Sequence, residues 1–205
     1  MKILRSSILS GIAIAIAGWG YLASTNIVGA ILFSFGLLTV IQYKLSLYTG
    51  TAGFVSFRDD EGHSVILSSV ATLLFVLFGN IIGCLLVALL TRLSPIDLAA
   101  SAQQILEGRL DIGPLRAGFL AIGCGFIMTT VVTGARAGKT LILLFGVPLF
   151  ILCGFPHCVA EVFYYLVAPW NYTYTHLSEV LVLYPCLVLG NFVGCNLYRF
   201  IANEW

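Results

Sequence analysis

A histidine and a glutamate stand four residues apart in the stretch CGFPHCVAEVF, residues 153–163. The run is apolar on both sides, with LILLFGVPLFIL before it and YYLVAP after it. Four residues is about one helical turn, so His157 and Glu161 share a face. An imidazole with an ordinary pKa of about 6.5 loads and releases protons near neutrality. A carboxylate in such a setting is costly to keep and marks a functional position. The pair is one ligand pair short of a zinc site, and His63 and His176 read as solvated loop residues far along the chain. No catalytic constellation, metal cluster or cofactor motif is legible. The chemistry these residues suit is the handling of protons and ions, not catalysis.

Composition says which solvent surrounds them. Of 205 residues, 60% are hydrophobic and 9% charged, against about a quarter charged in a soluble domain. The chain has too little polar surface to face water on all sides, so it reads as an integral membrane protein. A formal net charge of +1 gives no electrostatic case for nucleic acid. The basic start MKILRSSILSG is followed by no small-residue cleavage site and reads as the first span. The six cysteines form no CxxC pair and fall mostly inside apolar runs. They read as small reduced packing residues.

At roughly 20 apolar residues per crossing, six spans emerge: about 5–23, 28–57, 66–92, 115–134, 139–168 and 178–202. The second and fifth are too long and are interrupted. Gln42, Lys44, Ser46 and Thr49 fall in the lower half of the second; Pro148, Gly154 and Pro156 fall in the fifth. With the N-terminus inside, the inner segments hold Lys2, Arg5, Arg58, Arg136, Lys139 and Arg199, and the outer ones Arg92, Arg109 and Arg116. The loop APWNYTYTHLSE, residues 168–179, has no Lys or Arg, as an outer loop should; its Asn171-Tyr172-Thr173 sequon reads as a chance match. Both termini are expected inside.

The halves echo each other. LFGNIIGCLL at 77–86 returns as VLGNFVGCNL at 188–197, sharing GNxxGC at an offset of 111. SFGLL at 34–38 sets against LFGVP at 144–148, and RSSIL at 5–9 against RAGFL at 116–120. Three ordered echoes at nearly one offset make an internal repeat. Three spans per copy is odd, so the second copy is inverted, which is a transporter and channel signature. The break near Ser46–Gly50 then aligns with the break near Pro156–Ala160. Non-helical backbone at that depth lines a cavity or is buried in protein. Gly154 and Pro156 are expected to end one half-helix and start the next, with Pro156 in the new first turn. Glycines 79, 83, 190 and 194 suit close helix packing.

These motifs resemble the formate/nitrite transporter family. Its GFEHSIAN pattern at a broken fifth helix is similar to GFPHCVAE here, its GAELFTG at a broken second helix to YKLSLYTG, and its LGNLIGG-type runs to FGNIIGC and LGNFVGC. The resemblance runs in order over nearly the whole chain. It implies an all-α membrane protein with an aquaporin-like fold: six transmembrane helices as two inverted three-helix repeats, about 1–93 and 112–205, with helices 2 and 5 broken, in one domain spanning 1–205. It implies a homopentamer in a bacterial inner membrane, with small anions, protons and lipid as partners and no cofactor. The anions are formate, nitrite, hydrosulfide, lactate or their acids.

The resemblance also places the site. The pore histidine falls on His157 and the threonine of the helix-two break on Thr49. The cation ahead of helix four falls on Arg109. Hydrophobic constrictions fall on Leu37 and Phe150 on the inner side, and on Leu47 and Tyr48 on the outer. The chain departs at Pro156 and Glu161, where the family has Glu and Asn, and at Gly125, where it has Asn. Three roles stay open for Glu161: a proton relay with His157, a pair with Lys44 or another cation, or a shift of selectivity. A non-transporting scaffold or sensor on the same fold is the second reading. A water or glycerol channel would carry two Asn-Pro-Ala turns, and none is present.

Overall fold

The computed structural model describes residues 1–202, and these are helical almost throughout: α1 Lys2–Ser24, α2 Ile27–Gln42, α3 Tyr48–Ala52, α4 Ile66–Thr91, α5 Ala99–Arg136, α6 Leu141–Leu152, α7 Cys158–Val167, α8 Trp170–Thr175, α9 Leu177–Cys195 and α10 Leu197–Ala202. Four of these, α1, α4, α5 and α9, are each long and apolar enough to cross a membrane. The interrupted second and fifth stretches are each split in two, α2 with α3 and α6 with α7. Large apolar side chains such as Phe35, Leu67, Phe145 and Leu181 face outward, as suits lipid rather than water.

Two elements were not read from the sequence. The outer loop contains the short helix α8. The helical segment Ala99–Ile112 precedes the fourth span and joins it at Gly113, whose φ 78 and ψ 163 interrupt the helix. Gln103, Glu107, Arg109 and Asp111 make that segment too polar to register as a span.

Both breaks are built alike. Lys44 takes a left-handed φ of 52 and Gly154 one of 67. The amides of Leu45 and Phe155 reach back to Val40 O and Phe150 O at 2.8 and 2.9 Å, and those of Lys44 and Gly154 to Ile41 O and Ile151 O. This is the Schellman ending of a helix in each half. Glycine adopts that conformation at no steric cost, whereas Lys44 does so at roughly 1–2 kcal/mol. The breaks therefore occupy 43–47 and 153–157, a few residues before the expected positions. Pro156 lies outside the new helix, ahead of its N-cap, rather than in its first turn.

The GNxxGC echo has a physical meaning. Asn80 Oδ1 accepts from Tyr48 N at 2.9 Å, and its amide donates to Ser46 O at 3.0 Å. Asn191 Oδ1 accepts from Cys158 N at 2.8 Å, and its amide donates to Pro156 O at 2.9 Å. Each asparagine thus clamps the break of its own half. The cysteines reach the other half: Cys84 Sγ donates to Val159 O at 3.4 Å and Cys195 Sγ to Thr49 O at 3.5 Å. They are more than the packing residues expected.

One echo is out of register. A Cβ on Gly11 would overlap Asn80 O, and one on Gly125 would overlap Asn191 O. Gly36 meets Ala13 and Ala17 as Gly146 meets Ile127 and Val131. The first helix of the first half is therefore matched 114 residues on, three more than the RSSIL and RAGFL pairing implies. The SFGLL and LFGVP echo agrees with the contacts.

Candidate functional site

His157 is the N-cap of α7. Its backbone is extended, and its Nδ1 accepts from Ala160 N at 3.2 Å. A ring nitrogen that accepts carries no hydrogen, so in the neutral imidazole the hydrogen sits on Nε2. Nε2 lies 2.7 Å from Thr49 Oγ1, and that assignment makes histidine the donor and the threonine oxygen the acceptor. Thr49 sits in the first turn of α3, so the bond joins the second half-helix of one break to that of the other. His157 is 2% exposed and Thr49 fully buried. The Phe150 ring stacks on the imidazole with centroids 5.8 Å apart, and meets Phe33 edge-on.

Two cavities lie near this bond. One of about 100 Å³ is lined by His157, Phe150, Arg109, Glu161, Tyr21 and Tyr164, among others. The other, of about 560 Å³, is lined by Gln42, Lys44, Gly50 and Arg136, among others. His157 borders the first and Gly50, next to Thr49, borders the second. Phe150 therefore opens on the Arg109 cavity, on the same side as Arg109 rather than opposite it. Leu37, Leu47 and Tyr48 are buried in the core at 1%, 0% and 3% exposure. Tyr48 also donates its hydroxyl to Val188 O at 3.2 Å.

Glu161 takes the second of its three open roles, with Arg109 as the partner. Arg109 Nε and Nη2 each lie 2.9 Å from Glu161 Oε1, and Nη1 donates to Gly154 O at 2.9 Å. The arginine comes from the helical segment ahead of Gly113, so the unread segment delivers the cation to the break. Lys44 lines the other cavity and makes no bond to Glu161. Arg136, also there, packs over Phe54 at 4.3 Å and donates to Gly50 O at 3.3 Å. No sequence pattern paired Arg109 with Glu161; the one signal was that Glu161 could take a cation as partner.

Gly125 is explained by packing. A side chain there would enter the Asn191 backbone and the Cys195 amide, so α5 and α9 close over the place where the family carries asparagine.

Comparison with known proteins agrees with this architecture. A solved "Pentameric formate channel with formate bound" superposes with TM-score 0.82 at 23% identity, covering 98% of this chain and 95% of that one. A solved "FNT family ion channel" gives 0.81 at 20% identity, covering 98% and 88%. In sequence, the formate channel FocA of Haemophilus influenzae is 28% identical over 158 residues, which are 72% of this chain and 54% of that protein. The uncharacterized transporter YrhG of Bacillus subtilis is 28% identical over 199 residues, 90% of this chain and 73% of that protein. The chain thus spans little more than half the length of the Haemophilus relative. The family model for formate/nitrite transporters matches residues 1–202, and the chain belongs to the formate/nitrite transporter family.

Proposed function

We propose that the protein is a membrane channel or transporter for small monovalent anions or their conjugate acids, of the formate, nitrite, hydrosulfide or lactate class. On this reading it works as a homopentamer in a bacterial inner membrane, with both termini cytoplasmic and the two halves inverted. The observation that carries it is the 2.7 Å bond between Thr49 and His157, a buried polar contact that joins the two helix breaks beside the Arg109 cavity.

A bare anion pays several kcal/mol or more to enter an apolar core. A hydroxyl donor inside that core lowers the cost. With Nε2–H turned toward Thr49, the threonine hydroxyl keeps its own hydrogen for an anion. Leu37, Phe150, Leu47 and Tyr48 exclude water on either side.

The cap supports a proton-linked reading. A second proton on His157 would sit on Nδ1, where Ala160 N–H now points, so protonation must break the α7 cap. The protonation of Nδ1 is thereby tied to the shape of the break. An imidazolium can pass its Nε2 proton through Thr49 to a weakly basic anion, which leaves a neutral imidazole with its hydrogen on Nδ1; the cap re-forms when that hydrogen is lost and Nε2 regains one.

The test is uptake of formate, nitrite, hydrosulfide and lactate into liposomes holding the assembled protein, from mildly acidic to mildly alkaline pH. Uptake of at least one is expected, with a pH dependence that His157→Ala removes. No uptake of any by assembled protein would overturn the reading and favour a scaffold. Unchanged flux and pH profile in His157→Ala would remove the histidine from the mechanism.

A further inference from the structure

We propose that Glu161 is a built-in carboxylate ligand of Arg109 and that a small planar monoanion binds in the Arg109 cavity by taking its place. Glu161 is then the residue that sets the affinity of that cavity for its ligand.

The geometry of the pair is incomplete. Guanidinium and carboxylate pair best through two parallel bonds, one to each oxygen. Here both Nε and Nη2 of Arg109 converge on Oε1. Oε2 is buried and accepts no well-formed hydrogen bond, its polar neighbour being the Tyr165 hydroxyl, which also lacks a well-formed bond, although the glutamate side chain is only 2% exposed. A free carboxylate that can turn to present both oxygens makes the better partner for the same two N–H groups.

The cavity fits such an exchange. At about 100 Å³ it holds about three waters at roughly 30 Å³ each, which is room for a ligand of a few heavy atoms. Arg109 and Glu161 are the charged residues among those lining it, and the imidazole of His157 lines it too. The larger cavity is built differently, with Lys44 and Arg136 among its lining and no carboxylate. One cavity has cations and no carboxylate in its lining, and the other presents a cation already holding the chain's own carboxylate.

The flux arm of the test rests on the anion-passing reading above; the stability arm does not. Full-length Glu161→Gln and Glu161→Asn are compared with the unaltered protein. In liposomes, the formate concentration giving half-maximal flux is expected to fall at least tenfold in both variants. In detergent, sodium formate is expected to raise the melting temperature of both variants at concentrations that leave the unaltered protein unmoved, with sodium chloride as the control. The double variant Arg109→Gln with Glu161→Gln is expected to lose that response.

Equal formate dependence in variant and unaltered protein, in flux and in melting, overturns the proposal. A formate-specific melting shift that needs Arg109, with no flux from any of the proteins, upholds it while the transport reading fails. If both single variants fail to assemble, assembly in formate is expected to recover them. Failure of that rescue overturns the proposal, because a ligand able to replace Glu161 on Arg109 would restore the missing contact.

Discussion

The Thr49 hydroxyl and the His157 imidazole meet at 2.7 Å although 108 residues separate them. Their bond depends on two helix endings built the same way and held by equivalent asparagines. Replacing Thr49 with valine keeps the shape and removes the oxygen. The expected loss is about 1–1.5 kcal/mol of donor stabilisation, read as a roughly tenfold fall in anion uptake, while Thr49→Ser keeps most of the flux. Uptake by Thr49→Val equal to that of the unaltered protein would show the bond to be incidental.

The asparagine clamps are expected to govern stability rather than selectivity. Asn80→Leu and Asn191→Leu each strand buried backbone groups at a break, at a cost of about 1–3 kcal/mol per group. Both variants should melt earlier in detergent by similar amounts, because the two clamps are equivalent. A large drop for one and none for the other would contradict that equivalence.

Gly125→Asn, which restores the family's residue, is expected to harm this chain. The added Cβ overlaps the Asn191 carbonyl, so α5 and α9 must separate, and overpacking of this kind costs about 1–3 kcal/mol or more. Loss of a monodisperse assembly on size-exclusion chromatography is the expected result. A well-behaved variant would mean that the two helices have slack at this contact.

Lys44→Gly is expected to stabilise. The lysine holds a φ of 52 at the position where the other half has glycine, and relieving it returns about 1 kcal/mol. The melting temperature in detergent should rise. A fall would show that the lysine side chain contributes more to the fold than its backbone subtracts.

Spans, breaks and the central histidine were legible because each leaves a local trace: apolar length, glycine or proline in a long run, and a repeated motif. The register of the first helix was not. An apolar helix shifted by three residues shows nearly the same face, so RSSIL and RAGFL matched as letters but not as neighbours. The segment carrying Arg109 was missed because a membrane search discards polar stretches. Its pairing with Glu161 was hidden for a different reason: the two residues lie on separate elements 52 positions apart, and charge alone does not say which cation reaches which carboxylate. The misplacement of Phe150 has the same origin, since the side a residue faces at a break depends on where the helix stops.

Each asparagine fastens its own half, whereas Cys84, Cys195 and the Thr49–His157 bond tie one half to the other. A chain severed between α4 and α5 would therefore yield two pieces that can each shape their own bend but hold no functional centre alone. Recovery of the assembled protein from the two co-produced pieces would show that these contacts suffice without the covalent link across residues 92–98.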